Sequence, residues 1–220
     1  MSESDSPSPR RFGVSEPFSG ALPQGSWWPF APADSRQISW PTGPGGSPLR
    51  QHFIDTAPEG RRESPLVCVH GNPTWSYYWK GLIESQRRHR RCIALDHVGC
   101  GWSDRPNDRR FRLAQHIDHL VRLIDALDLD RITLAVHDWG GAIGIGAALK
   151  RIERIERLIV FNTGAFPPPF IPFRIRVCRW PVFGPAALLG ANAFSLAALR
   201  MAVARRDGLT ADERRGLLAP

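Results

Sequence analysis

The chain has 220 residues, which is enough for one sizeable domain and too many for a small disulfide-stapled protein. Apolar residues make up 42% of it, so a packed core is expected. Lys and Arg number 29 against 21 Asp and Glu, which gives a net charge of +8. The basic residues are scattered along the chain apart from one dense run at 87–91. We interpret that run as a solvated turn rather than as a nucleic-acid-binding surface.

The N-terminal segment, residues 1–35, is rich in Ser, Pro and Gly and is predicted to be disordered or irregular. Its first nine residues lack the apolar stretch of a secretory signal. We expect its aromatic cluster, Trp27, Trp28 and Phe30, to dock on the domain. Residues 36–40 and 49–54 then have the pattern of a hairpin around a turn-forming connection.

Strands and helices alternate regularly from residue 65 onwards. Buried strands are predicted at four apolar runs: 65–70, 91–96, 131–136 and 157–162. Helical patterns separate them, at 75–86, 113–127 and 141–150. This alternation predicts a parallel α/β sheet with right-handed crossovers, so residues 36–163 are interpreted as an α/β core. The alternation stops after Gly164, and residues 164–220 are predicted to form part of a helical cap.

The third predicted core strand ends in residues that suit nucleophilic chemistry. The segment Val136-His-Asp-Trp-Gly140 has the layout of the G-x-S-x-G nucleophile elbow, with Asp138 in the place of Ser and Val136 in the place of the first Gly. A carboxylate is ionised at pH 7 and needs no base to activate it, which suits displacement at a saturated carbon that bears a leaving group. The product is an ester to the enzyme. An Asp that only caps the following helix is the alternative interpretation.

The first core strand ends in a loop that can supply hydrogen-bond donors to this nucleophile. In a sheet of this kind, function lies at the carboxyl ends of the strands. The loop His70-Gly-Asn-Pro73 would contribute the N–H of Asn72, and the residue after the nucleophile, Trp139, would contribute another. Both residues also carry side-chain N–H groups, which can hold a departing anion. The alternative for Asn72–Pro73 is an ordinary turn, with a cis peptide bond as an option.

Two segments, 70–79 and 137–141, resemble the haloalkane dehalogenase and epoxide hydrolase branch of the α/β hydrolases. Within that branch the chain is more similar to the β-lactone decarboxylases of bacterial long-chain olefin biosynthesis, through segments 96–104, 162–166, 174–178, 191–195 and 214–220. The resemblance implies an α/β-hydrolase fold in which Asp138 is the nucleophile and Asn72 and Trp139 bind the leaving group. It implies opening of a β-lactone and loss of CO₂ to give an alkene. A haloalkane dehalogenase, which cleaves a C–halogen bond hydrolytically, is the alternative.

The sequence departs from this family after the elbow. The family's triad runs nucleophile, acid, then His, whereas all seven histidines here precede Asp138, and a strand-end position that carries the acid in some dehalogenases is Asn162. We therefore expect a C-terminally incomplete, turnover-deficient chain that lacks the last strands of the sheet. A non-catalytic remnant or interaction module is the third hypothesis. His137 is expected to pack behind the elbow, because neighbouring strand residues face opposite ways, and His97 is a candidate to line the site.

Other patterns indicate neither a metal nor a cofactor. His116 and His119 are three residues apart on a predicted helix, but no third ligand is in register. The glycines at 141–146 fall inside the helix after the elbow and form no dinucleotide-binding loop. The only tyrosines, at 77 and 78, precede the cap, which ranks an epoxide hydrolase lower. Cys68 and Cys92 lie in apolar runs and indicate free thiols in a reducing, cytoplasmic compartment.

The expected partner is a hydrophobic small-molecule substrate, and the resemblance adds partner enzymes of the same biosynthetic route; no nucleic acid is expected. The uncharged stretch 182–199 contains Gly, Pro, Asn and Ser and is interpreted as buried or lid helices rather than as a membrane span. The mixture of Arg and apolar residues at 171–206 leaves peripheral membrane contact open as an alternative to a lid over an apolar tunnel.

Overall fold

The computed structural model describes residues 15–42, 46–56, 63–106, 111–164, 173–178, 180–182, 186, 192–204 and 208–220. Within these ranges, seven strands form one sheet in the order β1-β2-β3-β5-β4-β6-β7. The strands are β1 (Glu16–Pro17), β2 (Ser35–Trp40), β3 (Leu49–Asp55), β4 (Leu66–Val69), β5 (Cys92–Leu95), β6 (Ile132–His137) and β7 (Ile155–Phe161). Strands β5, β4, β6 and β7 run parallel, and β1, β2 and β3 continue the sheet in antiparallel pairing. The predicted parallel core and the predicted hairpin are both confirmed.

The helices of the described ranges lie between and after the parallel strands. They are α1 (Lys80–Gln86), α2 (Leu113–Ala126), α3 (Trp139–Lys150), α4 (Phe173–Val177), α5 (Ala193–Met201) and α6 (Ala211–Leu218). The helix predicted at 75–86 is a 3-10 turn, Ser76–Trp79, that continues into α1. Helix α3 begins at Trp139, two residues earlier than predicted, because the chain turns at a single residue after β6.

Side-chain alternation along the strands divides the core between the two faces of the sheet. On one face, Val67, Val69 and Ile93 pack with the apolar stripe of α2 and with α3. On the other, Cys68 and Cys92 pack with an aromatic cluster. These two thiols are fully buried, as their apolar context predicts.

The aromatic cluster is built by the N-terminal segment. Trp27, Trp28 and Phe30 are buried, and the ring of Trp28 stacks on that of Trp75 with centroids 5.4 Å apart. Residues 15–34 thus pack against the domain although most of them form no regular element; residues 1–14 lie outside the described residues. The docking expected for the three aromatic residues is confirmed.

Helix α6 is attached to the same cluster. The indole of Trp75 donates to the carbonyl oxygen of Gly216 over 2.9 Å, and the hydroxyl of Tyr77 donates to the carbonyl oxygen of Asp212 over 3.3 Å. The Ser26 hydroxyl donates to the Asp212 carboxylate over 3.0 Å. These bonds hold the last helix of the chain over the carboxyl ends of the strands.

Strand β7 forms an edge of the sheet and pairs only with β6 among the described residues. Four apolar side chains in its second half are 39–52% exposed, on both faces: Leu158, Ile159, Val160 and Phe161. The predicted cap is described only in part, because 165–172, 179, 183–185, 187–191 and 205–207 lie outside the described residues, including much of the stretch 182–199. None of the helices within the described ranges combines the length and the hydropathy that a membrane crossing requires.

Candidate active site

Asp138 occupies a strained turn between β6 and α3. Its backbone angles are φ 52° and ψ −125°, a combination that non-glycine residues rarely adopt. Such strain costs on the order of 1–3 kcal/mol and persists where the surrounding structure enforces it. The turn ends the strand within one residue and presents the carboxylate at the carboxyl edge of the sheet.

Two glycines allow the helix to begin so close to the sheet. A Cβ atom on Gly140 would lie 2.7 Å from the carbonyl oxygen of His70 and closer still to that of Val69. A Cβ atom on Gly141 would overlap the side chain of Thr163. The backbone of β4 and the side chain of Thr163 therefore require small residues at 140 and 141.

The backbone N–H of Asn72 donates to Oδ1 of Asp138 over 2.8 Å. This N–H belongs to the same planar peptide unit as the carbonyl of Gly71, and the two groups point in opposite directions. The Gly71 carbonyl accepts bonds from Nδ1 of His70 (2.8 Å), from the N–H of Thr74 (3.1 Å) and from its hydroxyl (3.0 Å). Three bonds at one end of the peptide unit thus fix the direction of the donor at the other. The Asn72–Pro73 peptide bond is cis.

Thr163 holds the backbone of Asp138 from the opposite side. Its hydroxyl donates to the main-chain carbonyl oxygen of Asp138 over 2.6 Å. Thr163 follows the end of β7, the strand next to β6, so its position depends on the order of strands in the sheet. Thr163 was not among the residues predicted for the site; the signals were its place just after a predicted strand end and within the segment 162–166 that resembles the family.

A cavity of about 470 Å³, which we name the Asp138 cavity, opens beside Asp138. The loop at Asn72, the ring of Tyr78 and Asn162 form one part of its lining, and α5 and α6 contribute mostly apolar side chains: Ser195, Ala198, Leu199, Leu217 and Leu218. The nucleophile and the Asn72 donor predicted from the sequence therefore meet at one cavity.

The second predicted donor, Trp139, is placed differently. It is the first residue of α3, where backbone N–H groups have no intrahelical partner. Its side chain is 56% exposed and is not part of the lining of the Asp138 cavity. Its backbone directly follows Asp138, whereas its indole faces solvent.

His137 lines the Asp138 cavity, contrary to the expectation that it packs behind the elbow. Its ring stacks on that of Tyr78, with centroids 4.6 Å apart. The alternation rule applies to regular strands, and it fails here because the chain leaves the strand conformation at Asp138. Burial lowers the pKa of His137, and the neighbouring carboxylate partly opposes this. Burial also raises the pKa of Tyr78, and the charge of Asp138 adds to the effect.

His97 does not line the site. It is buried behind the loop, where its Nε2 donates to the carbonyl oxygen of His70 over 2.9 Å and its backbone N–H donates to Nε2 of His70. Burial lowers the pKa of both imidazoles, that of His97 strongly; His70 and His116 add to the effect at His97, whereas nearby carboxylates partly oppose it at His70. These two rings brace the loop as neutral hydrogen-bonding groups.

Asp96 anchors a second buried network beneath the same loops. Its carboxylate contacts Nδ1 of His52 over 2.7 Å and accepts bonds from the backbone N–H groups of Ser76 and Trp102. Burial alone would raise the pKa of Asp96, but the bond and the charge of His52 outweigh it, so the pKa is lowered. No group of three or more potential metal ligands occurs within the described ranges; His116 and His119 pack with aromatic rings instead.

A strained carboxylate at a strand–helix turn, small residues behind it and a facing N–H loop define a protein of the α/β hydrolase fold. The chain belongs to the α/β hydrolase fold family, which matches residues 64–180. This confirms the fold predicted from the alternating elements and the family inferred from the elbow.

Known relatives place the chain within this family. It is 41% identical over 172 residues to a cis-3-alkyl-4-alkyloxetan-2-one decarboxylase of Shewanella oneidensis, covering 72% of this chain and 54% of the relative. It is 40% identical over 183 residues to a protein of the same name from Xanthomonas campestris pv. campestris, covering 78% of this chain and 60% of the relative. The chain thus spans between half and two thirds of the length of these curated relatives. The crystal structure of an ancestral haloalkane dehalogenase is 26% identical, with a TM-score of 0.70, covering 84% of this chain and 63% of that one.

Proposed function

We propose that the site carries out β-lactone decarboxylation, with Asp138 as the nucleophile. The observation that carries the proposal is the 2.8 Å bond from the Asn72 N–H to Oδ1 of Asp138 at the wall of a cavity. That bond fixes one carboxylate oxygen and orients the other for attack. The oxetan-2-one named for the two relatives is a four-membered β-lactone, and its ring strain assists opening.

The first step forms an ester to Asp138. A carboxylate oxygen attacks C4 of the oxetanone from the side opposite the ring oxygen. The C4–O bond breaks, its electron pair passes to the ring oxygen, and a carboxylate remains on C3. We assign two donors to the charge of this carboxylate: the side-chain N–H of Asn72, since its backbone N–H already binds Asp138, and the backbone N–H of Trp139 at the start of α3.

The second step releases the alkene. The bond from C3 to the carboxylate breaks, its electron pair forms the C3=C4 bond, and the C4–O bond to Asp138 breaks with return of the electron pair to the aspartate. No proton and no water are consumed. Backside attack places the ester oxygen anti to the carboxylate, and elimination from that arrangement keeps both alkyl groups on the same side. A cis lactone therefore gives a cis alkene.

Haloalkane dehalogenation is the second candidate, and the similarity to the dehalogenase structure favours it. The same carboxylate would displace a halide, but release of the ester then requires water and a base to activate it. The two functions thus differ after the ester forms, because the decarboxylase reaction regenerates the carboxylate without water. The turnover deficiency expected from the lack of a later His therefore applies to dehalogenation, and alkene release does not require that base.

The experiment compares both substrates on the 220-residue chain. We expect cis-3-octyl-4-methyloxetan-2-one to give the cis alkene by gas chromatography, and 1-bromooctane to leave an octyl group on Asp138 by intact and peptide mass spectrometry. Asp138→Asn abolishes both results. The matched control is Asp118→Asn. Asp118 is a half-exposed residue of α2 that pairs with Lys150, and its replacement should leave alkene formation and octyl transfer unchanged. A folded chain that forms neither alkene nor adduct refutes the proposal and supports a non-catalytic protein, whereas release of octanol without alkene supports the dehalogenase.

A further inference from the structure

A second cavity lies beside the Asp138 cavity. This one, which we name the Arg105 cavity, has a volume of about 420 Å³ and is lined by Trp75, Cys100 and Arg105 among others. Both volumes lie within the range of small-molecule sites. Six residues line both cavities, so the two adjoin along a common wall: Asn72, Pro73, Thr74, Ser195, Leu217 and Leu218.

We propose that the two cavities hold the two alkyl substituents of a 3,4-dialkyl β-lactone, the 4-substituent in the Asp138 cavity and the 3-substituent in the Arg105 cavity. This inference rests on the proposed function and assigns the substrate's parts to the site. The attacked carbon, C4, must lie about 3–3.5 Å from a carboxylate oxygen. Of the two cavities only the first is lined by Asp138, so C4 and its substituent lie there.

The shared wall directs the other substituent. C3 is bonded to C4, so it lies against the Asn72–Thr74 loop when C4 faces the nucleophile. A substituent on C3 that leaves the Asp138 cavity passes this loop and enters the Arg105 cavity. The two substituents of a cis lactone then extend from adjacent carbons into separate spaces, and neither has to fold back on the other.

The walls of the Arg105 cavity combine apolar and polar side chains. Leu217 and Leu218 of α6 supply apolar surface on which an alkyl group can pack, while Asn192 and Ser195 contribute polar groups. Trp75, which is almost fully buried, is held in place by its bond to Gly216. The guanidinium of Arg105 donates to the carbonyl oxygen of Gly101 over 2.7 Å, which satisfies a donor at the exposed side of the cavity. Helix α6 thus contributes to both spaces through two consecutive leucines.

The test blocks each cavity separately and measures binding on the Asp138→Asn chain, so that it needs no chemistry. Ala198→Phe fills the Asp138 cavity and Cys100→Phe fills the Arg105 cavity; Leu149→Phe, on an exposed position of α3, is the matched control. The ligands are cis-3-octyl-4-methyl-, cis-3-methyl-4-octyl- and cis-3,4-dimethyloxetan-2-one, and the dissociation constants come from tryptophan fluorescence.

We expect Ala198→Phe to weaken the 4-octyl isomer about tenfold or more and the 3-octyl isomer less than about twofold, because each excluded methylene loses its burial. Cys100→Phe should weaken the 3-octyl isomer about tenfold or more and the 4-octyl isomer less than about twofold. If Cys100→Phe does not fold, Arg105→Trp, a substitution at an exposed position of the same cavity, should give the same result. The inference is overturned if one variant weakens both isomers alike, if neither variant discriminates, or if an octyl group adds no affinity over the dimethyl lactone. Failure of the proposed decarboxylation is detected separately: the protein without substitutions then forms no alkene from the lactone.

Discussion

Replacement of Gly140 by Ala tests the close approach of helix α3 to strand β4. The added Cβ would lie 2.7 Å from the carbonyl oxygen of His70, about 0.7 Å inside the 3.4 Å at which ordinary contact begins. Strand β4 is paired on both sides, with β5 and with β6, so its backbone cannot yield and the helix must move. Overpacking of this kind costs about 3 kcal/mol.

The helix propensity of alanine offsets part of this cost. Ala is better than Gly in a helix by roughly 1 kcal/mol, so the net loss of unfolding free energy is about 2 kcal/mol. Gly81 of α1 is the matched control, because a Cβ there meets nothing within 4 Å. Gly81→Ala should therefore gain roughly 1 kcal/mol, and the difference between the two variants isolates the overpacking cost of about 3 kcal/mol.

Urea unfolding followed by tryptophan fluorescence measures both variants. We expect a lower midpoint for Gly140→Ala and a higher one for Gly81→Ala, with unchanged slopes. We also expect slower alkylation of Asp138 in Gly140→Ala, since displacement of α3 moves the turn that presents the carboxylate. Equal midpoint shifts for the two variants would refute the reasoning.

Three further predictions concern single side chains: Thr163, His119 and Asp96. Thr163→Val removes the donor to the Asp138 carbonyl, so it should lower the unfolding free energy by about 1 kcal/mol and slow octyl transfer from 1-bromooctane. Thr163→Ser keeps the hydroxyl and should retain both the stability and the alkylation rate. Unchanged alkylation in the Val variant would contradict the positioning role. Burial lowers the pKa of His119 to about 4, so the unfolded chain binds a proton below pH 6.5 that the folded chain refuses, and stability falls as the pH drops from 6.5 towards 4. His119→Phe should reduce that slope by up to about 1.4 kcal/mol per pH unit in urea titrations at pH 7, 6 and 5, and an unchanged slope contradicts this. Asp96→Asn removes the buried carboxylate that contacts His52 and accepts the N–H groups of Ser76 and Trp102, and it should cost about 3–5 kcal/mol, measured by thermal unfolding. Asp104→Asn, in a partly exposed pair with Arg50, should cost about 1 kcal/mol or less.

The elbow could be predicted from the sequence because its determinants are local. An apolar run, one acidic residue and two glycines follow one another within 131–141, and each constrains the same turn. The fold followed from the same alternation of apolar runs and helical stripes. The bond from Asn72 to Asp138 joins residues 66 positions apart, and it could be anticipated only because both lie at carboxyl ends of predicted parallel strands.

Other features of the site depend on geometry that the sequence does not carry. Thr163 bonds to the Asp138 carbonyl from the end of the neighbouring strand β7, so its role depends on the strand order. The orientation predicted for His137 was wrong because the alternation of side chains ends at Asp138, the strained residue beside it. Trp139 could be placed after the nucleophile, but the direction of its indole depends on what packs against the start of α3.

The exposed strand β7 has a practical consequence for handling the protein. Across the ranges that the structure describes, β7 has one unpaired edge and exposed apolar side chains on both faces, and such a strand is a template for pairing with another polypeptide. Samples of the chain should form oligomers as concentration rises, and dilute preparations or mild detergent should keep it dispersed. Light scattering over a concentration series is therefore the first measurement to make before any kinetic one, since a self-associated sample would hide the properties of the site.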